Sequence, residues 1–136
     1  MSLPLAYFKS ECLEKQKIIV SREKKKSHVA VNKDENLVRQ FRVDGYVITE
    51  NIKKCDYLVI NDDKLTAYFI ELKGTDINGA IEQLKQTVEL LKEDLKDYDK
   101  KLRIVYSGKV ISGTIAEWKK KNKNAKAEQG ELREDI

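Results

Sequence analysis

The feature that most restricts the fold is a pair of apolar runs separated by a short polar connection. The first run is CDYLVI, residues 55–60, and the second is TAYFIELK, residues 66–73. The connection contains Asn61, Asp62 and Asp63, which are turn-forming residues, and it is far shorter than the crossover that parallel strands require. The sequence therefore predicts an antiparallel hairpin in which side chains of the two runs lie next to each other.

The segment after the hairpin carries apolar side chains at the spacing of one helix face. Thr75 or Asp76 can cap this helix, and Gly74 separates it from the second strand. We predict a helix from Ile77 to Tyr98, a strand over residues 102–106 that joins the sheet through this helical crossover, and a final helix over 111–121. The apolar face consists of Ile77, Ala80, Ile81, Leu84, Val88, Leu91, Leu95 and Tyr98.

The flanking regions have weaker patterns. Asp44-Gly45 is a turn former, although Asp44 could instead be an extra acid near a site. The tail, residues 122–136, has little to bury and is expected either to be mobile or to add an edge element. The remaining expectations are a short helix over 5–17, a strand starting at 17–20, and strands over 29–31, 37–43 and 46–49.

Length and composition define the class of protein. The chain has 136 residues, with 40% hydrophobic and 37% charged, which suits one α/β domain spanning 1–136. No stretch approaches the roughly 20 consecutive apolar residues of a membrane span, and the N-terminus lacks the pattern of a signal peptide. We therefore expect a soluble cytoplasmic protein.

The scarcity of cysteine and histidine restricts the possible chemistry. Cys12 and Cys55 are far apart, which suggests neither a disulfide framework nor a cysteine zinc site. His28 is the single histidine, so sites with several imidazole ligands are excluded. Any catalysis should rest on carboxylates, lysines, amides and a hard metal. The net charge of +4 mildly favours contact with a polyanion.

Three charged residues in the hairpin resist a purely structural interpretation. Asp56 stands in an apolar run, where an unpaired carboxylate would be costly. Glu71 and Lys73 interrupt the end of the second run, and because side chains alternate along a strand, they share one face while Leu72 points to the other. A buried ion pair between Asp56 and Lys73 is the main structural alternative.

Asp56, fourteen intervening residues and then Glu71-Leu72-Lys73 resemble the motif of the PD-(D/E)xK nuclease superfamily. The resemblance covers about residues 37–107 and implies a restriction-endonuclease-like core, with a mixed β-sheet flanked by helices. It further implies that Asp56, Glu71 and the Leu72 backbone carbonyl bind Mg²⁺ or Mn²⁺. Lys73 would orient the attacking water and stabilise charge on the phosphate. Oxygen ligands suit such a hard cation.

Other positions match the superfamily less closely. Gln83, twelve residues after Glu71, resembles the glutamine of a Q-x-x-x-Y motif that positions substrate or water, but Thr87 replaces the tyrosine. Cys55 stands where a proline usually precedes the aspartate. The resemblance also implies an acid on a helix near the N-terminus, for which the candidates are Glu11, Glu14 and Glu35.

The predicted function is that of a metal-dependent nuclease acting on nucleic acid, with DNA as the first expectation and a homodimer or partner protein supplying selectivity. The alternative is an inert nucleic-acid-binding or protein-interaction module on the same fold. The lysine runs 24–26 and 119–123 are interpreted as solvated surface, or else as contacts to phosphates. Trp118 and Tyr106 are interpreted as residues that cover the hydrophobic core. The alternative is that they stack on a nucleic-acid base.

Overall fold

The computed structural model describes residues 4–48, 54–110 and 112–136. In these ranges the chain forms two helices, two β-sheets and a short 3-10 turn at Leu5–Tyr7. The elements in chain order are β1 (Ile18–Glu23), β2 (Lys26–Val31), β3 (Val38–Arg42), β4 (Tyr57–Asn61), β5 (Thr66–Lys73), α1 (Ile77–Leu90), β6 (Asp99–Tyr106), α2 (Ser112–Lys121), β7 (Ala125–Gln129) and β8 (Glu131–Asp135).

The larger sheet has the strand order β3-β4-β5-β6-β7. Strands β3, β4 and β5 are antiparallel neighbours, and Tyr57 of β4 lies opposite Ile70 of β5. Helix α1 then returns the chain to β6, which is parallel to β5, and α2 leads to β7, which is parallel to β6. The predicted hairpin and helical crossover are confirmed. We call the edge where β5, β6 and β7 end the carboxyl edge; β3 also ends there and β4 begins there.

The larger sheet is covered by different layers on its two faces. One face packs against α1 and α2 through residues such as Phe41, Leu58, Phe69, Ile104 and Leu84. The other face packs against the smaller sheet, which has the order β1-β2-β8, through residues such as Val59, Ile70, Val105, Ile19 and Leu132. The predicted α/β class is confirmed, but helices flank only one face of the sheet.

The N-terminal predictions are partly wrong. Only Leu5–Tyr7 is helical within the predicted helix 5–17. The chain that follows runs along the edge of β3, where the Glu11 amide donates to the Gln40 carbonyl at 2.7 Å and the Val38 amide donates to the Glu14 carbonyl at 2.8 Å. These edge contacts satisfy backbone groups that a helix would have used internally.

The strand predicted over residues 46–49 is also absent from the described part of that segment. Tyr46 and Val47 lie in a turn, Ile48 makes an isolated bridge with Asp44, and Thr49 lies outside the described residues. Gly45 has φ +80, a conformation that favours glycine, so the chain reverses here as the Asp44-Gly45 pair predicts.

Helix α1 begins where predicted and ends earlier. The Asp76 side chain accepts a hydrogen bond from the Gly79 amide at 2.9 Å, which confirms the cap. The helix ends at Leu90, and the chain continues as hydrogen-bonded turns to Tyr98. Leu91 and Leu95 remain buried in these turns, so the apolar spacing persists beyond the helix.

The C-terminal half contains the final helix and two edge strands. Helix α2 carries Trp118, which is buried in the core, in agreement with its interpretation as a residue that covers the core. Strands β7 and β8 show that the tail adds edge elements, because Ala125, Ala127, Leu132 and Ile136 are buried. Cys12 and Cys55 are both free and buried. In the described ranges, neither helix has the length and apolar character needed to cross a bilayer.

Candidate functional site

The carboxyl edge brings together the predicted site residues of the hairpin. Asp56 immediately precedes β4, and its amide donates to the Ile70 carbonyl of β5 at 3.1 Å. The Leu72 amide in turn donates to Asp56 Oδ2 at 2.9 Å. The antiparallel register therefore fixes the Asp56 carboxylate beside the Leu72 backbone and next to Glu71.

Glu71 is the most unusual polar residue of this site. It is only 2% exposed, and its Oε1 atom has no hydrogen-bond partner among the described residues. Burial, together with the charge of Asp56, raises the pKa of Glu71 to about 9, although Lys73 opposes this shift. A buried carboxyl oxygen without a partner is costly, and a bound cation is one way to satisfy it.

Asp56 also has a raised pKa. Burial is the largest cause, and the negative charges of Glu23 and Asp44 contribute, while the hydrogen bond from the Leu72 amide acts in the opposite direction. The resulting pKa is about 6. Two neighbouring carboxyl groups resist being charged together, so a cation that neutralises both would bind more favourably than a neutral ligand.

Lys73 and Gln83 are in direct contact. Lys73 Nζ donates to Gln83 Oε1 at 3.0 Å, and Gln83 Nε2 donates to the Lys54 carbonyl at 3.2 Å. Gln83 therefore orients the lysine that ends β5. The alternative ion pair between Asp56 and Lys73 does not occur among the ion pairs of the described residues.

The two departures from the superfamily pattern are in contact with each other. The Cys55 amide donates to Thr87 Oγ1 at 2.7 Å, and Thr87 Oγ1 donates to the Gln83 carbonyl at 2.8 Å. A proline at position 55 would have no amide hydrogen to donate. Cys55 and Thr87 thus form a matched pair that fixes the backbone next to Asp56 against α1. Burial raises the pKa of the Cys55 thiol, which marks it as a structural residue.

The acids proposed near the N-terminus are not placed on a helix as the resemblance implies. Glu11, Glu14 and Glu35 are all exposed, and the structure places none of them on a helix. The negative charges that act on Asp56 come instead from Glu23 and Asp44, and they raise its pKa. Glu23 was not among the predicted site residues, because the pattern over residues 17–20 predicts only the start of a strand that continues to Glu23. Asp44 was favoured as a turn former.

A cleft of about 170 Å³ lies beside Asp56. Strands β1 and β3 contribute its basic side chains, and the turn after β3 contributes an acid. The lining residues are Arg22, Glu23, Arg42, Asp44, Asp56 and Tyr57. The larger basic runs lie elsewhere: Lys24 and Lys25 are exposed in the turn between β1 and β2, and the lysines of 119–121 are exposed at the end of α2.

The oxygen ligands at this edge fit a hard divalent cation. Asp56 and Glu71 supply two carboxyl groups and the backbone at Leu72 is adjacent. Glu71 Oε1 is buried and has no hydrogen-bond partner in the part of the chain that the structure describes. Across residues 4–48, 54–110 and 112–136, no group of three or more His, Cys, Asp or Glu residues is arranged to hold a metal ion. The candidate donor set therefore consists of two acids and the backbone.

Comparisons with protein-family models, with curated proteins and with solved structures give no match to this chain.

Proposed function

We propose that this chain is a metal-dependent nuclease with a restriction-endonuclease-like core that hydrolyses phosphodiester bonds in nucleic acid, with DNA as the preferred substrate. The observation that carries the proposal is the meeting of Asp56, Glu71 and Lys73 at the carboxyl edge, where Glu71 has a buried carboxyl oxygen with no partner among residues 4–48, 54–110 and 112–136. A purely structural role does not account for two adjacent acids whose pKa values are both raised.

The order of elements supports the proposal. An antiparallel three-stranded unit, a helix and a returning parallel strand follow one another in β3, β4, β5, α1 and β6. This is the order that the resemblance implies for the core, with E-x-K at the end of the third strand. Asp56 is expected inside the second strand and lies immediately before it. Selectivity beyond the phosphate backbone would come from a second copy or a partner protein.

Each site residue has a distinct role in this proposal. Asp56 and Glu71 would hold Mg²⁺ or Mn²⁺ together with the Leu72 carbonyl. The cation, when bound, supplies Lewis acidity toward a phosphoryl oxygen. Lys73 provides a compact positive charge for the attacking water and for the charge that develops on the phosphate. Gln83 accepts a hydrogen bond from Lys73 Nζ and is therefore a positioning residue.

The direct test is cleavage of single-stranded, duplex and branched DNA and of RNA in the presence of Mg²⁺ or Mn²⁺. We expect Asp56→Asn, Glu71→Gln and Lys73→Met each to lower the cleavage rate by about 10²-fold or more, as losses of charge-stabilising groups do. Glu117→Gln and Lys96→Met remove exposed charges elsewhere and should leave the rate unchanged. Cleavage that persists in all three site variants would refute the proposal.

A binding module without catalysis is the second candidate function. It is favoured by the absence of a three-acid metal group in the described ranges and by the pKa of Glu71 of about 9, which keeps this carboxyl neutral at pH 7 without a cation. Calorimetric titration with Mg²⁺ and Mn²⁺ separates the two candidates. A site that is lost in Asp56→Asn supports the nuclease, whereas no binding together with no cleavage supports the module.

A further inference from the structure

We infer that Arg22 and Arg42 form a phosphate-binding pair that holds the nucleic-acid backbone next to the phosphodiester to be cut. The inference rests on the proposed function and adds to it the way in which the substrate is engaged. Both arginines line the cleft that also contains Asp56. Their position at the ends of β1 and β3 places them beside the acids rather than on a remote surface.

The arginines of this chain divide into two groups. Three of the five have an acidic partner: Arg39 Nε lies 2.8 Å from Asp62 Oδ2, Arg103 Nε lies 2.7 Å from Glu134 Oε2, and Arg133 Nε lies 4.0 Å from Glu131 Oε2. Arg22 and Arg42 have no carboxylate partner in the described part of the chain, although Glu23, Asp44 and Asp56 line the same cleft. Their guanidinium groups thus remain available for an anionic ligand.

Tyr57 organises this pair. Arg42 Nη2 donates to Tyr57 Oη at 3.0 Å, and the Arg42 guanidinium lies 5.5 Å from the centre of the Tyr57 ring. Tyr57 Oη donates to the Arg22 carbonyl at 3.4 Å. Tyr57 is 9% exposed, so it links β1, β3 and β4 from a nearly buried position. An arginine held on an aromatic ring loses less conformational freedom when it binds a phosphate.

Two acids of the cleft, Asp44 and Asp56, would have counter-charges when a phosphate binds beside them. Asp44 Oδ1 lies 3.7 Å from Lys54 Nζ, which partly balances its charge. The proposed cation would neutralise Asp56 and Glu71. The Val43 amide, one residue after Arg42, donates to the Asp56 carbonyl at 2.9 Å, so the backbone that carries Arg42 is fixed to the backbone of the site. Guanidinium groups bind phosphate oxygens in a bidentate manner.

Binding can be measured separately from cleavage. The probes are fluorescein-labelled single-stranded DNA, duplex DNA and RNA, and the readout is fluorescence anisotropy across a series of salt concentrations. Ca²⁺ replaces Mg²⁺, because it takes the same oxygen ligands, and gels verify that the probe stays intact. The variants are Arg22→Gln, Arg42→Gln and Arg42→Lys. Arg133→Gln, an exposed arginine of β8, is the matched control.

We expect Arg22→Gln and Arg42→Gln each to weaken binding and to lower the slope of log Kd against log salt by about one, which is the effect of losing one phosphate contact. Arg42→Lys should retain the slope, and Arg133→Gln should match the wild type. A smaller folded fraction alone would weaken the apparent affinity by the same factor at every salt concentration and would not lower the slope. If Arg42→Gln fails to fold, the exposed Arg22→Gln variant decides the result.

Two results would overturn this inference: wild-type affinity and slope in both glutamine variants, or no binding of any probe to the wild-type protein. The outcome is distinguishable from that of the proposed function. Binding that depends on the two arginines, without cleavage, would support the phosphate-binding pair and contradict the proposal of a nuclease. Cleavage together with binding that does not depend on the arginines would support the nuclease and contradict the phosphate-binding pair.

Discussion

Two glutamates whose side chains are buried behave in opposite ways in this molecule. Glu71 of β5 lies at the carboxyl edge, and Glu134 of β8 lies between the two sheets. Arg103 donates to Glu134 from Nε at 2.7 Å and from Nη2 at 2.9 Å, and His28 Nε2 lies 2.7 Å from Glu134 Oε2. Glu71 has an acid, Asp56, as its close neighbour instead.

The pKa values of the two glutamates record this difference. Burial alone would raise the pKa of Glu134, but hydrogen bonds from His28 and Arg103 outweigh burial and lower it to about 2. Burial and Asp56 raise the pKa of Glu71 to about 9. Burial therefore acts in the same direction at both positions, and the partners decide the outcome. A paired buried carboxylate fastens strands together, whereas an underpaired one costs stability and marks a candidate site.

The largest effect on stability is expected when the cluster of Glu134, Arg103 and His28, here called the paired cluster, loses its carboxylate. Glu134→Gln should lower the free energy of unfolding by about 3 kcal/mol, because Arg103, 2% exposed, would retain a buried charge without its carboxylate. Urea denaturation at neutral pH measures the change. Glu131→Gln on the same strand alters an exposed acid and should cost less than about 0.5 kcal/mol.

The paired cluster also predicts a direction of pH dependence. Because the pKa of Glu134 is lower in the folded state, its stabilising contribution is complete above about pH 4.5 and is lost as the pH falls toward 2. Glu134→Gln should lack this acid-dependent loss. An unchanged acid unfolding profile in this variant would show that the pKa of Glu134 is not lowered in the folded state.

A smaller effect of opposite sign is expected at the candidate site. Without a divalent cation, Glu71→Gln should stabilise the protein by about 2 kcal/mol at pH 7, because it removes a carboxyl group whose ionisation the fold opposes. The pKa of Glu71 is raised from 4.5 to about 9, so the wild type should lose stability as the pH rises through this range. The difference between the two proteins should vanish below about pH 4.5.

Urea denaturation across this pH range compares the wild type with Glu71→Gln, and Glu117→Gln serves as the control for removing an exposed acid. A destabilised Glu71→Gln variant would mean that Glu71 is ionised and well paired in the folded protein. That result would contradict the conclusion that Glu134 is well paired and Glu71 is not.

The smallest of these effects is stabilisation by a cation. Mg²⁺ at several times its Kd should stabilise the wild type by about 1 kcal/mol, seen as a rise in Tm. The rise should grow with pH, because Asp56 and Glu71 must lose their protons to bind the cation. Asp56→Asn should show no rise, and NaCl of matched ionic strength is the control. An equal rise in Asp56→Asn would place the cation elsewhere.

Local patterns predicted part of the fold and of the candidate site. The hairpin and the start of α1 follow from short-range periodicity and turn chemistry, and the hairpin register alone brings Asp56 next to Leu72. The predicted end of α1 at Tyr98 is wrong, because Leu91 and Leu95 continue the apolar spacing in turns. The predicted helix over 5–17 is also wrong beyond Leu5–Tyr7, because hydrogen bonds of the segment that follows are made to β3 and not within a helix.

The sequence by itself determined which groups could do chemistry here: carboxylates, lysine and amides, with a single histidine and no paired cysteines. It also determined that Asp56, Glu71 and Lys73 lie near one another, because a tight hairpin fixes register over a few residues. Only the tertiary structure decided that Arg22 and Arg42 lie beside Asp56 while Arg103 pairs with Glu134. The physical reason is that long-range packing of the two sheets, and not local spacing, selects the partner of each charge.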